Sequence, residues 1–205
     1  MKRREFIRTS VAGAAVTTSL VAKPALTRAA RSANEQVSLA LIGARSEGRG
    51  YDLARYFSAL PDIRFPYVCD VDQNVVGPVM DHIEKSKGKR PALVEDIRRV
   101  LDDKSVDGVV VATPIHWHAP GTILACEAGK DVYVEKPVSH NIREGRLAVE
   151  AARKHGRIVQ HGTQLRAAPH YRKAWQLLRD GVIGKVMMVK AINNQRRGRL
   201  PLREN

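Results

Sequence analysis

Cysteine is nearly absent from these 205 residues, which contain only Cys69 and Cys126. Two cysteines do not build a disulfide framework, and each lies in an apolar stretch, so both read as small buried hydrophobes. Aromatic residues are also scarce, at 5% of the chain. They form no basic–aromatic ladder of the kind that grips single-stranded nucleic acid, and zinc-finger spacing is missing. No apolar run of roughly 18 residues occurs beyond the N-terminus, so neither a spanning helix nor a stable membrane anchor is expected. The chain has no internal repeat and no low-complexity linker. Its length suits one sizeable core, or one domain plus a fragment of another.

Positive charge is plentiful, with a formal net charge of +14. Residues 1–33 carry seven Lys/Arg against one acid, and residues 34–205 carry 28 against 20. Apart from "KSKGKR" (85–90) and "NNQRRGR" (193–199), basic and acidic residues are interleaved. That pattern describes a solvated surface, and a nucleic-acid partner is not expected. The opening "MKRREFIRTSVAGAAVTTSLVAKPALTRAA" has the layout of an export signal: a basic head, a mildly apolar middle and a small-residue tail. Arg3-Arg4-x-Phe6-Ile7 resembles the twin-arginine translocation signal, which implies delivery of an already folded protein to a periplasmic or extracytoplasmic space. A short amphipathic or anchoring helix is the alternative.

From residue 37 short β-branched runs alternate with longer amphipathic stretches. Strands are predicted at 37–43, 64–70, 106–113, 131–135 and 157–162, with a short extended piece at 92–94. Helices are predicted at 50–60, 73–86, 95–102, 118–129 and 142–155. The first helix is expected to bury Leu53, Tyr56, Phe57 and Leu60. "VDGVVVAT" is apolar enough to need cover on both faces, as central parallel strands do. The alternation predicts a doubly wound, Rossmann-like parallel α/β sheet over 34–163.

After the first strand comes "GARSEGRG". Gly43 and Gly48 have the spacing of the first and third glycines of G-x-G-x-x-G, the turn that brings a helix N-terminus to a pyrophosphate. Arg45 occupies the second position, where backbone normally approaches phosphate. Asp70 ends the second strand, 22 residues beyond Gly48. An acid there hydrogen-bonds ribose hydroxyls and repels a 2′-phosphate, which favours NAD over NADP. Helix capping is its other possible role, one that Asp72 fills equally well.

At the next sheet edge stand "ATPIHWHAP" (112–120) and "DVYVEKPVSH" (131–140). Ligands bind beyond the carboxyl ends of such strands, so Thr113, Pro114, Trp117 and His118 are expected to share a cleft with the glycine loop. His116 and His118 flank Trp117, but spacing supplies no third ligand, and no metal is expected. Together, the "LIG" strand with its glycine turn, "CDVD", "ATPIHWHAP", "AGKDVYVEKP", "GTQLR" and "GVIGKV" resemble the Gfo/Idh/MocA family. That family is named for glucose–fructose oxidoreductase and inositol dehydrogenase. The resemblance covers about 37–190 and implies a Rossmann domain for NAD(P), a sugar or polyol substrate, and Lys136 at the substrate carbon. It further implies that Glu135 and Gln164 belong to the cofactor side and that Pro137 fixes the turn, through a cis bond if one forms.

The resemblance also implies a second α/β domain. Residues 164–181 are expected to form a packed connecting helix carrying His170 and Arg172, and 181–194 the first strand of a second sheet. Since the sequence ends at Asn205, most of that domain is expected to be missing, leaving a homo-oligomer or a separately encoded second domain as possible partners. Three functions compete: a sugar or polyol oxidoreductase or its cofactor half, an NAD-dependent glycosidase, and a non-catalytic nucleotide-binding module.

Overall fold

The structure is a computed structural model that describes residues 36–45 and 48–192. The export signal expected over 1–33 and the basic run at 193–199 lie outside the described residues. In chain order the elements are β1 (Val37–Ile42), α1 (Arg49–Ser58), β2 (Ile63–Cys69), α2 (Gly77–Lys87), β3 (Ala92–Val94), α3 (Ile97–Leu101), β4 (Gly108–Val111), α4 (His118–Glu127), β5 (Asp131–Glu135), α5 (Ile142–Lys154), β6 (Val159–Gly162) and α6 (Pro169–Arg179). Single 3-10 turns at Gln73–Val75 and Ile115–Trp117 lead into α2 and α4.

The strands form one parallel sheet in the order β3-β2-β1-β4-β5-β6. Parallel neighbours require crossover connections, which the helices supply. The winding reverses between β1 and β4, and the reversal opens a crevice beyond their carboxyl ends. All four residues of β4 are buried. Successive residues feed opposite layers, as the two-residue strand period requires. Ala40, Ile42, Val109 and Val111 join one core, while Leu41 and Val110 join the other beside Val68, Val79 and Ile83. Full burial of each valine, leucine or isoleucine contributes about 1.5–3 kcal/mol relative to exposure, so the layers that hold the crevice open are also the most stabilising.

Both cysteines are free and buried. Burial, then the neighbouring Asp70 and Asp96 charges, pushes the Cys69 thiol up to about 12, and burial pushes Cys126 upward as well. The thiolate is the reactive form. A thiol reagent at mildly alkaline pH is therefore expected to label neither cysteine in the native protein and both after denaturation. Rapid native labelling would contradict the packing around β2 and α4.

Three expectations need correction. In α1 the buried residues are Gly50, Leu53, Ala54 and Ser58, whereas Tyr56 and Leu60 are about half exposed, at 53% and 49%. The cause is Gly50, where a Cβ would lie 2.3 Å from the Gly43 carbonyl oxygen. That contact turns the 50/53/54 face inward and leaves Tyr56 under the Arg55 guanidinium, 5.3 Å from its ring centroid. The connecting helix α6 forms but buries none of its residues, so the packed linker is not observed. Residues 182–192 form no strand. A strand is held by hydrogen bonds to a neighbour, and among the described residues none lies beside this segment, whose Met187, Met188 and Val189 are all more than 80% exposed.

Candidate functional site

The site is built where β1, β2, β4 and β5 end. At Gly43 the backbone turns with φ +86°, and a Cβ there would lie 2.6 Å from the Thr113 nitrogen. Only glycine combines that left-handed turn with so close an approach to the β4 turn. Gly50 makes the close helix–strand contact that the fingerprint assigns to its third glycine. The stretch is therefore two residues longer than the six-residue pattern, and Gly48 is not its packing glycine. A Cβ on Gly48 would meet nothing closer than the Arg45 oxygen at 3.6 Å. Gly48 instead caps α1 without a side-chain hydrogen bond; its carbonyl takes the Tyr51 and Asp52 N–H groups, and those of Arg49 and Gly50 have no partner among the described residues and stand beside the cleft. Arg45 is exposed and lines the cleft.

Asp70 secures this loop from below. Its carboxylate accepts hydrogen bonds from the Ala44 N–H at 2.7 Å and the Asp72 N–H at 3.0 Å. The capping role falls to Asp72, which accepts from the Asn74 N–H at 3.0 Å.

On the opposite side, His118 is 3% exposed and joins two turns. Its Nδ1 lies 2.5 Å from the Pro137 oxygen and its Nε2 2.8 Å from the Thr113 oxygen. The Lys136–Pro137 bond is cis. Lys136 is exposed at the cleft, and its ammonium makes no hydrogen bond among the described residues.

Glu135 is the hub beside it, at 2% exposure. Its Oε1 accepts from Arg49 Nε at 3.1 Å and Arg49 Nη2 at 2.8 Å. Gln164 Nε2 reaches both carboxylate oxygens at 3.1 Å, and the Lys136 N–H donates to Oε2 at 3.0 Å. Arg49 also donates from Nη1 to Asp52 at 3.0 Å. Burial works against the Arg49 charge, but its bonds and charge interactions with Glu135, then Asp52, raise its pKa above the ordinary value. Arg49 was not singled out by sequence reasoning; its only signal was its place between the glycines of "GRG".

The cleft has two lobes of about 430 and 470 Å³ that share Gly43, Asp70, Val71, Thr113 and Pro114. The first extends to Arg45, Gly48, Arg49, His118, Glu135 and Lys136. The second extends to Glu95, Ile97, His116 and Trp117. Gln164 lines neither lobe and is spent on Glu135. Thr113 Oγ1, at the floor common to both, is buried with no hydrogen-bond partner among the described residues. A glycine cradle, uncapped helix N–H groups, a carboxylate at the end of β2 and an orphaned hydroxyl fit an elongated dinucleotide. Among the described residues no group of three His, Cys, Asp or Glu is placed to hold a metal, and no helix is long and apolar enough to cross a membrane.

The family model for an oxidoreductase family with an NAD-binding Rossmann fold matches residues 37–163. The chain belongs to the Gfo/Idh/MocA family. Within it, the chain is 27% identical over 157 residues to an alpha-N-acetylgalactosaminidase of Shewanella oneidensis, covering 75% of this chain and 34% of that protein. A glycosyl hydrolase family 109 protein of Stenotrophomonas maltophilia is 36% identical over 141 residues, or 66% of this chain and 29% of the relative. Among solved Gfo/Idh/MocA-like structures, GenD2 from gentamicin A biosynthesis, in complex with NAD, superposes with a TM-score of 0.63 at 28% identity. That match covers 71% of this chain and 40% of GenD2. The myo-inositol 2-dehydrogenase of Lactobacillus plantarum gives a TM-score of 0.65 at 23% identity, over 74% of this chain and 43% of its own, and shares the fold. The chain thus spans well under half the length of these Gfo/Idh/MocA relatives.

Proposed function

We propose that this chain is the cofactor-binding part of an exported, NAD-dependent oxidoreductase acting on a CH–OH group of a sugar or polyol. The observation that carries the reading is that Lys136 and the glycine loop line one continuous lobe. Gly43, the α1 N-terminus and Arg45 would hold the pyrophosphate, Asp70 a ribose, and the Ile97–Trp117 lobe the adenine. When bound, the nicotinamide supplies the electron-pair acceptor for the substrate carbon. Lys136, with its ammonium unengaged, donates a hydrogen bond to the substrate oxygen and stabilises negative charge developing there. The His118 bridge and the Glu135 hub fix the backbone on either side of that lysine.

The cofactor assignment is tested at Asp70. Asp70→Asn keeps an oxygen for the Ala44 N–H but removes the charge that faces a 2′-phosphate. The variant is expected to narrow an NAD-over-NADP preference by about tenfold, near the lower end of the ~1.5–3 kcal/mol attached to hydrogen bonds with charged groups. Titration of both cofactors against both proteins measures it, and an unchanged ratio removes Asp70 from selectivity. The export part rests on Arg3-Arg4. Replacing both by lysine is expected to retain precursor in the cytoplasm, and undiminished delivery on fractionation would refute the twin-arginine route.

The 36% match to a family 109 glycosyl hydrolase favours a second reading, an NAD-dependent glycosidase. Turnover of aryl glycosides with no net change in cofactor redox state separates it from the dehydrogenase.

A further inference from the structure

The first lobe of the cleft is lined by three carboxylates, and they differ in setting. Asp70 and Asp72 belong to the β2 end, with Asp72 exposed, whereas Glu135 stands at the β5 end next to Lys136 and is 2% exposed. Three chain segments converge on it: the start of α1 through Arg49, its own neighbour Lys136 through the backbone, and the segment after β6 through Gln164. An oxidised nicotinamide ring carries a formal positive charge and a reduced one carries none. Fixed charge in a partly water-excluded lobe therefore acts on the two forms unequally, and it acts more strongly there than in bulk water.

We infer that Glu135 determines the preference of this site for oxidised over reduced cofactor, with Arg49 as the opposing charge that tunes it. This rests on the reading that the Lys136 end of the cleft takes the nicotinamide. The Glu135 carboxylate favours the charged ring. Arg49, bonded to it at 2.8 Å, offsets part of that attraction, and Lys136 adds to the offset. Asp52, the other partner of Arg49, lies outside the lining of the lobe, whereas Arg49, of similar exposure at 35%, is part of that lining. Gln164 is neutral and orients the carboxylate.

The test is the ratio of the dissociation constants of NAD⁺ and NADH, measured on the purified chain by calorimetry and nicotinamide fluorescence. A defect in packing weakens both forms alike and leaves the ratio in place. Glu135→Gln is expected to raise Kd(NAD⁺)/Kd(NADH) by about five- to tenfold, a unit charge acting across several ångströms of shielded protein. A tenfold rise corresponds to about 30 mV in the two-electron potential of the bound couple. Arg49→Met is expected to lower the ratio by a similar factor. The double variant, which removes both charges together, is expected to return close to the wild-type ratio. If Glu135→Gln does not fold, the Arg49→Met shift and its reversal in the double variant decide the matter. Wild type that binds both forms, with variants whose ratio stays put, overturns this inference alone. Wild type that binds neither form overturns the dinucleotide reading and this inference with it.

Discussion

Gly43→Ala is expected to cost about 3–5 kcal/mol of folding stability and Gly50→Ala about 2–3 kcal/mol, because overpacking against rigid backbone lies in the upper part of its usual range, about 2–3 kcal/mol, and a left-handed alanine costs roughly 1–2 more. At Gly43 both penalties apply: φ is +86°, and the new methyl would lie within 2.8 Å of three backbone atoms of Ala112 and Thr113. At Gly50 the methyl would press on the Gly43 carbonyl oxygen at 2.3 Å, a rigid backbone group that yields only by moving β1 or α1. Gly48 is the control. It has extended dihedrals and its nearest neighbour would be 3.6 Å away, so Gly48→Ala is expected to lose about 1 kcal/mol, mostly as a poorer helix cap. Urea unfolding of the three variants checks the order. A Gly48 variant as damaged as Gly50→Ala would contradict the assignment of the packing glycine.

Lys136→Ala is expected to lower turnover by about 10²- to 10⁴-fold, the range typical of a positioned acid–base group. The measurement is made on a fusion that carries a relative's remaining domain, since the chain spans under half the length of its relatives and hydride transfer needs substrate held at roughly 3–3.5 Å. The NADH dissociation constant is expected to change little, since the Lys136 ammonium has no partner among the described residues and its backbone N–H, held by Glu135 at 3.0 Å, survives the substitution, while loss of the ammonium charge tightens NAD⁺. Equal losses in cofactor affinity and in turnover would make Lys136 a binding residue. Retained turnover would remove it from the chemistry.

The strands were legible because their signal is short-range. "VSLALI", "GVVV" and "DVYVE" are runs of residues that fit a doubly covered sheet, and all three lie in β1, β4 and β5. Their parallel pairing followed from the alternation with helices. Asp70 and Lys136 were found because each ends a strand at the carboxyl edge, a place that chain order alone specifies. The inward face of α1 was legible only in part: periodicity found Leu53 and Phe57, which reach the core, but it misplaced Tyr56 and Leu60, because it carries no trace of Gly50 pressed against a loop seven residues earlier. Arg49 was missed for a related reason, since its partner Glu135 is 86 positions away in the chain. Residues 181–194 read as a strand because Val186, Met187, Met188 and Val189 have strand chemistry. Chemistry without a neighbouring strand gave the irregular backbone observed over 182–192.

The hydrogen bond from the Ala44 N–H to Asp70 has a consequence for how such a protein changes over generations. The carboxylate that would choose between cofactors also closes the glycine loop, at 2.7 Å. A drift toward NADP through loss of that acid leaves the Ala44 donor, in a fully buried residue, without an acceptor, a penalty of about 1–3 kcal/mol. Selectivity and foldability are therefore tied to one side chain. Asparagine, which keeps an acceptor oxygen, is the accessible first step, and alanine or arginine, which offer none, becomes tolerable only after a compensating acceptor has arisen near the end of β2.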